Sequence, residues 1–229
     1  AGWAAVDYPR LAVDGDRGLH VVWVRASASE GEPSQGIYYA HSADGGEMWS
    51  EPLELAQGAV DWPQVAVSEP GRVHVLWHDA SDSGTWWHRW AVMNAPQQAE
   101  GSAPSRARGG SSESAWSQAE RVPGQRGVTA PAGFVADGAG LLYLIGLADD
   151  DTGEPALLSM VWEDERWGQQ EMHLMDPAPG EPGVAVALQP ALGHLDVTFR
   201  GELQMGDEAP QKDLWHTGRA VPTAVVTRA

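Results

Sequence analysis

The chain has 229 residues, no cysteine and a formal net charge of −18 at pH 7. Without cysteine there is no disulfide, thiolate metal ligand or thiol nucleophile. The acidic balance excludes a nucleic-acid partner, whose phosphates demand a basic surface. No apolar stretch approaches the length of a membrane-spanning helix, so no membrane span is expected. With 42% apolar residues, 27 Gly and 16 Pro, the chain can bury a core and turn often.

The first unit of the chain reads as four short β-strands, at about residues 9–14, 19–25, 36–41 and 51–56. Between the last two lies an octet that matches S-x-D-x-G-x-x-W at Ser42, Asp44, Gly46 and Trp49. A short carboxylate accepts backbone N–H groups in a tight turn, glycine supplies positive φ angles, and a Trp can fold back as an apolar plug. The octet therefore predicts an ordered hairpin turn.

The beginning of this unit recurs 54 positions later without a gap. Asp7-Tyr8-Pro9 becomes Asp61-Trp62-Pro63, and His20-Val21-Val22-Trp23 becomes His74-Val75-Leu76-Trp77. Looser copies begin near Pro131 and Pro182. The later strands are predicted at about 63–68, 73–78, 85–91 and 116–122, then 132–136, 141–147, 156–162 and 167–174, then 183–188, 194–200, 212–217 and 221–227.

Four strands per unit and a period near 50 residues are typical of propeller blades. The prediction is an all-β fold, a β-propeller of four-stranded antiparallel blades, with four blades in this chain. We expect one propeller domain over 1–229, with blades at about 1–57, 58–125, 126–178 and 179–229.

The octet and the repeats resemble the Asp-box, or BNR-repeat, β-propellers of the sialidase-like families. Trp116 and Trp167 stand where later units would carry the same turn, but the glycine is missing before Trp167. The resemblance implies a secreted or surface protein, and such propellers usually have six blades. Four blades therefore close into a ring by themselves, form part of a larger propeller, or form one half of a propeller that a second copy completes. An unclosed row of blades would expose the faces of its two outermost sheets to solvent.

Residues 92–115 interrupt the second unit with a Ser-, Gly- and Pro-rich insertion, which we expect to be flexible. Arg106 and Arg108 make it locally basic. It is either a tolerated surface loop or a docking arm for an acidic partner.

The catalytic residues that the resemblance implies are three arginines, a Tyr nucleophile with a Glu partner, and an Asp acid. Arg10 lies near the place of the first arginine, but it follows a proline instead of preceding one, and the second unit has Gln64 there. Tyr143 sits within an apolar run, where a core role is expected. We therefore expect no complete catalytic set. Carboxylate pairs among the 32 acids remain open, since nothing in their spacing selects one.

Two groups of residues are candidates for ligand binding. Asp7 and Asp61 precede innermost strands, at one end of the channel where propellers commonly bind ligands, and Arg10, Gln64, His78 and Asp79 belong to the same predicted patch. Trp86 and Trp90 face one side of a strand. They serve either as packing between blades or as an aromatic platform for a sugar or a protein.

Three histidines, His20, His74 and His194, share one repeat position, which favours structural hydrogen bonds over a metal site. We expect no metal and no cofactor, with Ca²⁺ left open by the acidic composition. The leading hypothesis is a non-catalytic, extracytoplasmic module that recognises a glycan or a protein. The alternatives are a glycoside hydrolase or sialidase-like enzyme, or a fragment of one, and a subunit whose propeller is completed as a homodimer.

Overall fold

The computed structural model describes residues 5–15, 18–27, 29, 31–69, 71–81, 85–93, 116–124, 132–137, 140–149, 152–153, 155–173, 179–189, 194–203 and 211–220. In this part of the chain, sixteen strands form four antiparallel sheets. The predicted all-β propeller fold with four blades is confirmed. No helix within these residues is long and apolar enough to cross a membrane.

Each blade is an antiparallel meander that follows the chain order. Blade 1 contains β1 (Ala5–Val13), β2 (Leu19–Ala26), β3 (Gly36–Ser42) and β4 (Leu53–Gln57). Blade 2 contains β5 (Val60–Glu69), β6 (Arg72–Asp79), β7 (Thr85–Val92) and β8 (Glu120–Arg121).

In blade 3 the outer position is shared by two short strands, β12 and β13, which both pair with β11. Blade 3 contains β9 (Gly133–Ala136), β10 (Leu142–Asp149), β11 (Pro155–Glu163), β12 (Arg166–Trp167) and β13 (Glu171–His173). Blade 4 contains β14 (Pro179–Gln189), β15 (His194–Leu203) and β16 (Gln211–Ala220). The strand predicted at 221–227 lies outside the described residues, as does the insertion apart from Val92 and Met93.

The blades stack face against face through three apolar clusters. One cluster joins blades 1 and 2 around Val22, Ile37 and Val75, and a second joins blades 2 and 3 around Leu76 and Trp162. A third joins blades 3 and 4 through residues that include Tyr143, Ile145, Leu195 and Val197. Tyr143 is buried there, consistent with the core role expected for it. The core is therefore a series of inter-blade layers, each made by two adjacent sheets.

The turn at 42–49 is held by side-chain and backbone hydrogen bonds. The Ser42 hydroxyl donates to Asp44 Oδ1 at 2.7 Å and accepts from the Gly46 N–H at 2.8 Å. Asp44 Oδ1 also accepts from the Met48 N–H at 2.9 Å, which together with the Ser42 contact lowers the pKa of Asp44. Gly46 has φ of 98°, which favours glycine.

Trp49 corrects one expectation for this turn. Its side chain is 45% exposed, so the indole does not form a buried plug. The turn is instead held by the polar contacts of Ser42 and Asp44, which do not depend on the Trp.

Ser42→Ala is expected to lower the free energy of unfolding by about 1–2 kcal/mol, because the half-buried Gly46 N–H loses its acceptor and Asp44 loses a donor. Chemical unfolding monitored by Trp fluorescence measures the change. Met48→Ala is the matched control, since its side chain is 74% exposed and its backbone N–H remains. Equal stabilities of the two variants would contradict the role given to Ser42.

Candidate functional site

The innermost strands of blades 1 and 2 begin with the same unusual backbone. Tyr8 has φ of 50° and Trp62 has φ of 45°, and each precedes a proline. At both places the pairing with the next strand skips a residue, between Asp7 and Arg10 and between Asp61 and Gln64. These are β-bulges in the left-handed region, which cost of order 1–3 kcal/mol for a residue with a side chain. Strain of this kind, repeated at the same place in two blades, marks a candidate site.

A cavity of about 350 Å³ opens beside the two bulges, between blades 1 and 2. Asp7 and Asp61 contribute from the starts of β1 and β5, and the β2–β3 loop contributes Glu32. Tyr8 and the hydroxyl-bearing residues Ser27, Ser29 and Ser34 also line it. The cavity therefore combines three carboxyl groups, hydroxyl groups and an aromatic ring.

The β2–β3 loop is held in place by its own hydrogen bonds and by bonds to blade 2. Ser27 Oγ donates to Glu32 Oε2 at 2.6 Å. Ser34 Oγ donates to the Val60 carbonyl at 2.5 Å, and the Val60 N–H donates to Ser34 Oγ at 2.8 Å. These contacts fasten the loop across the junction between the two blades, so the cavity wall is fixed by both.

One wall of the cavity has a second layer behind it. His78 Nδ1 lies 2.6 Å from Asp61 Oδ1, and the Trp62 ring stacks on the His78 imidazole with centroids 4.9 Å apart. An imidazole N–H directed at a carboxylate fixes the carboxylate's orientation. Asp61 is thus held by His78, and Trp62 holds His78.

The structure separates the residues of the predicted channel-mouth patch. Asp7 and Asp61 line one cavity, and His78 contacts Asp61 from behind. Arg10 is exposed and donates to the neighbouring Pro9 carbonyl at 3.1 Å. Asp79 accepts from the N–H and the hydroxyl of Ser81. Gln64 pairs with Leu76 within the sheet and does not line the cavity.

Sequence reasoning missed the residues that the β2–β3 loop supplies. Glu32, Ser27 and Ser34 lie in a short polar, Gly- and Pro-containing connection, which by sequence is a turn between two strands. Their distance from Asp61 depends on how blade 2 stacks on blade 1. A repeat in the sequence does not reveal how two blades stack. The repeated Asp-aromatic-Pro triplet was the available signal for Tyr8 and Trp62.

The aromatic cluster on β7 is inter-blade packing on both sides. Trp86 is fully buried in the cluster between blades 2 and 3, and Trp90 packs against the same cluster. On the other side, Arg89 donates to the Leu55 and Ser117 carbonyls at 3.0 and 2.9 Å. Trp86 is therefore a core residue and not a platform, because blade 3 covers the face to which it belongs.

A chain of four polar side chains runs through the core of blade 2. Ser68 Oγ lies 2.8 Å from His74 Nε2, His74 Nδ1 lies 3.1 Å from His88 Nε2, and His88 Nδ1 lies 2.9 Å from Glu120 Oε1. One set of donors satisfies every contact: the Ser68 hydroxyl to His74, the His74 Nδ1–H to His88, and the His88 Nδ1–H to the carboxylate. Trp162 stands edge-on to both imidazoles. Burial lowers the pKa of His74 to about 2 and also lowers the pKa of His88, so both are neutral.

The other members of the repeated histidine position behave differently. His20 lies 2.8 Å from the Tyr39 hydroxyl and 3.3 Å from Asp14, within its own blade. The side chain of His194 lies outside the described residues. Among the side chains that are described, no group of three or more His, Cys, Asp or Glu is placed to hold a metal ion.

No family model matches the chain, and no curated protein matches it by sequence. Solved structures match by fold. An α-L-arabinanase of Penicillium chrysogenum, complexed with arabinobiose, superposes with a TM-score of 0.57 at 14% identity over 97% of this chain and 65% of its own length. The GH93 α-L-arabinofuranosidase of Fusarium graminearum, also with arabinobiose, gives 0.55 at 13% identity over 98% and 65%. A Trypanosoma rangeli sialidase in complex with sialic acid gives 0.54 at 11% identity over 93% and 36%.

These likenesses define the class of the fold, a sialidase-like β-propeller. The chain spans less than two thirds of the length of each of these neighbours, so its four blades match only part of each neighbour. At 11–14% identity the likeness concerns the fold alone.

Proposed function

We propose that this chain is an extracytoplasmic glycan-binding propeller module, and that its ligand is a short neutral oligosaccharide bound between blades 1 and 2. The observation that carries the proposal is the cavity lined by Asp7, Glu32 and Asp61 beside Tyr8. Carboxylates and hydroxyl groups are good partners for sugar hydroxyls, and an aromatic ring suits the apolar face of a sugar. The extracytoplasmic location rests on the resemblance to Asp-box propellers.

The charge of the cavity selects among sugars. Among the described residues that line it, none is Lys or Arg, while three are acidic. An anionic sugar would meet like charge there without the arginine fork that pairs with a carboxylate. A neutral sugar meets no such penalty. The volume of about 350 Å³ is at the small end of ligand pockets, which favours one or two sugar rings.

The backbone at the cavity supports a binding role over a purely structural one. Aromatic residues with left-handed backbone occupy both Tyr8 and Trp62, although a glycine there would remove the strain. The strained bulges turn Asp7 and Asp61 toward one opening, and His78 fixes Asp61. Pre-orientation of this kind lowers the entropy lost when a ligand binds.

Asp61→Asn is expected to weaken binding of arabinobiose, the first neutral probe, by about tenfold, since one charge-assisted hydrogen bond becomes a neutral one. Isothermal titration calorimetry of the wild-type chain and the variant measures the difference. Sialic acid, the anionic probe, is expected not to bind.

The matched control is Asp79→Asn, which removes the same charge from the next blade-2 carboxylate outside the cavity. Its affinity for the neutral probe should equal that of the wild-type chain. Failure of a series of neutral mono- and disaccharides to bind, or tighter binding of sialic acid, would overturn the proposal.

A second candidate function is glycoside hydrolysis by paired carboxylates. It is favoured by the carboxyl groups of Asp7 and Asp61 in one cavity, which would serve as acid and base or nucleophile. A sialidase reaction is not favoured, because Arg89 bonds to backbone carbonyls and Arg10 to Pro9, so they do not converge on a substrate carboxylate.

Release of nitrophenol from a neutral nitrophenyl glycoside separates the two functions. A hydrolase shows turnover that Asp61→Asn and Asp7→Asn each abolish, while a binding module gives heat of binding without product. Turnover that survives both substitutions would come from a contaminant or another site.

A further inference from the structure

Blades 1 and 2 carry equivalent groups of three residues beside the candidate site. In each blade the group consists of an aspartate, the aromatic residue that follows it, and the residue paired with the aspartate on the next strand. The members stand 54 positions apart in the sequence: Asp7, Tyr8 and Val24 in blade 1, and Asp61, Trp62 and His78 in blade 2. Residues opposite each other in an antiparallel pair point to the same side of the sheet, so the two groups can be compared side chain by side chain.

In blade 2 the aspartate and the aromatic residue hold an imidazole of the chain itself. The His78 ring stacks on Trp62 with centroids 4.9 Å apart, and its Nδ1 lies 2.6 Å from Asp61 Oδ1. Trp86, which pairs with His78 on the next strand, lies against the same imidazole with ring centroids 5.5 Å apart. His78 is only 8% exposed. One carboxylate and one aromatic ring therefore enclose a flat ring that carries a hydrogen-bond donor on its edge.

In blade 1 the equivalent aspartate and aromatic residue line a cavity. Val24 has neither a ring nor a donor, and its pairing partner Ile37 is smaller than Trp86, which takes the same position in blade 2. Asp7 and Tyr8 line the cavity of about 350 Å³ together with Val24. Tyr8 is 45% exposed. The cavity therefore coincides with the positions where blade 1 has the smaller side chains.

The backbone sets the two groups in the same way. The pairing skips a residue between Asp7 and Arg10 as it does between Asp61 and Gln64, and both aromatic residues have left-handed φ angles. The bulge fixes the direction of the aspartate and of the aromatic residue relative to the sheet. A ligand in the cavity thus meets two partners whose orientation is set in advance, which reduces the entropy lost on binding.

We propose that the cavity binds a ligand ring in the way that blade 2 binds the His78 imidazole: the ring stacks on Tyr8 and donates a hydrogen bond to Asp7. That the ring is a sugar rests on the proposed function. The C–H face of a sugar suits an aromatic ring, and a sugar hydroxyl can donate to a carboxylate. Val24 is then the residue that keeps the space open for the ligand.

Val24→His tests the inference by supplying the imidazole from the chain itself. The new side chain should donate to Asp7 and stack on Tyr8, and so exclude the ligand. Isothermal titration calorimetry should show arabinobiose binding weakened by about tenfold or more relative to the wild-type chain. The cavity has room for the larger side chain, so the variant folds, which circular dichroism verifies.

Tyr8→Ala is the second variant, because it removes the ring without filling the cavity. Tyr8 is 45% exposed, so its loss leaves the core intact. The affinity for arabinobiose should fall about fivefold, and Tyr8→Phe, which keeps a ring, should lose less. Val13→His is the matched control for Val24→His, since it adds the same side chain at a 62% exposed valine of blade 1 outside the cavity. It should bind like the wild-type chain.

Wild-type affinity in Val24→His or in Tyr8→Ala would overturn the inference. If the wild-type chain binds no neutral sugar, the proposed function fails, and 4-methylimidazole, the analogue of the histidine side chain, tests the inference separately. This probe should shift the NMR signals of the Tyr8 ring in the wild-type chain, and Val24→His should abolish the shift. A wild-type chain whose Tyr8 signals do not respond would overturn the inference as well.

Discussion

Trp86→Ala is expected to lower the free energy of unfolding by about 3–5 kcal/mol, which is a large part of the roughly 5–15 kcal/mol that a folded domain possesses. Trp86 is fully buried between blades 2 and 3, and its indole lies 5.5 Å from the His78 ring and 6.5 Å from that of Trp62. Its removal leaves a cavity that the two surrounding sheets cannot fill, because both are fixed by their own ladders of hydrogen bonds.

The measurement is urea unfolding followed by circular dichroism. Trp49→Ala is the matched control: it deletes the same side chain where the indole is 45% exposed, and should cost less than about 1 kcal/mol. If Trp86→Ala does not fold, Trp86→Phe is measured in its place, because it removes less side-chain volume from the core. Equal costs at the two positions would contradict the assignment of Trp86 to the core.

Acidification from pH 7 to pH 5 is expected to destabilise the protein by about 2 kcal/mol through His74 alone. Burial, together with the neighbouring His88 imidazole and the nearby charge of Arg72, lowers the pKa of His74 from 6.5 to about 2. The folded state therefore binds fewer protons than the unfolded state below pH 6.5. Stability from this group is fully present above pH 6.5 and is lost as the pH falls from there toward the folded-state pKa.

Three other imidazoles act in the same direction. Burial lowers the pKa of His20, His41 and His88, although Asp14 opposes this effect at His20 and Glu120 opposes it at His88. Each imidazole that stays neutral in the folded state at pH 5 adds to the loss. The histidines together should therefore lower the free energy of unfolding by more than about 2 kcal/mol over this range.

Urea unfolding at several pH values measures the loss of stability on acidification. ¹⁵N NMR of the imidazoles shows which histidines cause it. The His74 and His88 signals should show neutral rings at pH 5 with the tautomers that the Ser68–Glu120 chain requires. A His74 ring that titrates near pH 6.5 would contradict the prediction.

Much of the fold was predictable because it depends on local rules. Each pattern that predicted the fold involves residues close in sequence. These patterns are the apolar–polar alternation along strands, the Asp-aromatic-Pro motif and the turn residues of the Ser42–Trp49 octet. They predicted four blades and most of the strand positions. The exception in blade 3 is the outer strand, which is divided into β12 and β13.

Sequence reasoning placed residues at the candidate site only where the site coincides with the repeat. Asp7 and Asp61 were found because they precede equivalent strands, and they do line one cavity. Arg10 and Gln64 are as close in sequence but do not line the cavity. The bulges at Tyr8 and Trp62 leave Arg10 on the same side of its strand as Asp7, and Gln64 on the same side as Asp61. What separates them from the cavity is their position further along the strand, which the repeat alone does not reveal.

The sequence by itself determined the class of fold, the number of blades and the order of strands, because hydrogen-bond ladders and side-chain alternation operate between neighbours in the chain. Only the tertiary structure decided that Trp86 is buried, that Ser68, His74, His88 and Glu120 join end to end, and that Leu11 is exposed where its counterpart Val65 is covered. Each of these depends on which sheet stacks on which face. Sheet stacking brings together residues far apart in sequence. The repeat cannot reveal it, because the same residue types occur in blades whose faces are covered and in blades whose faces are exposed.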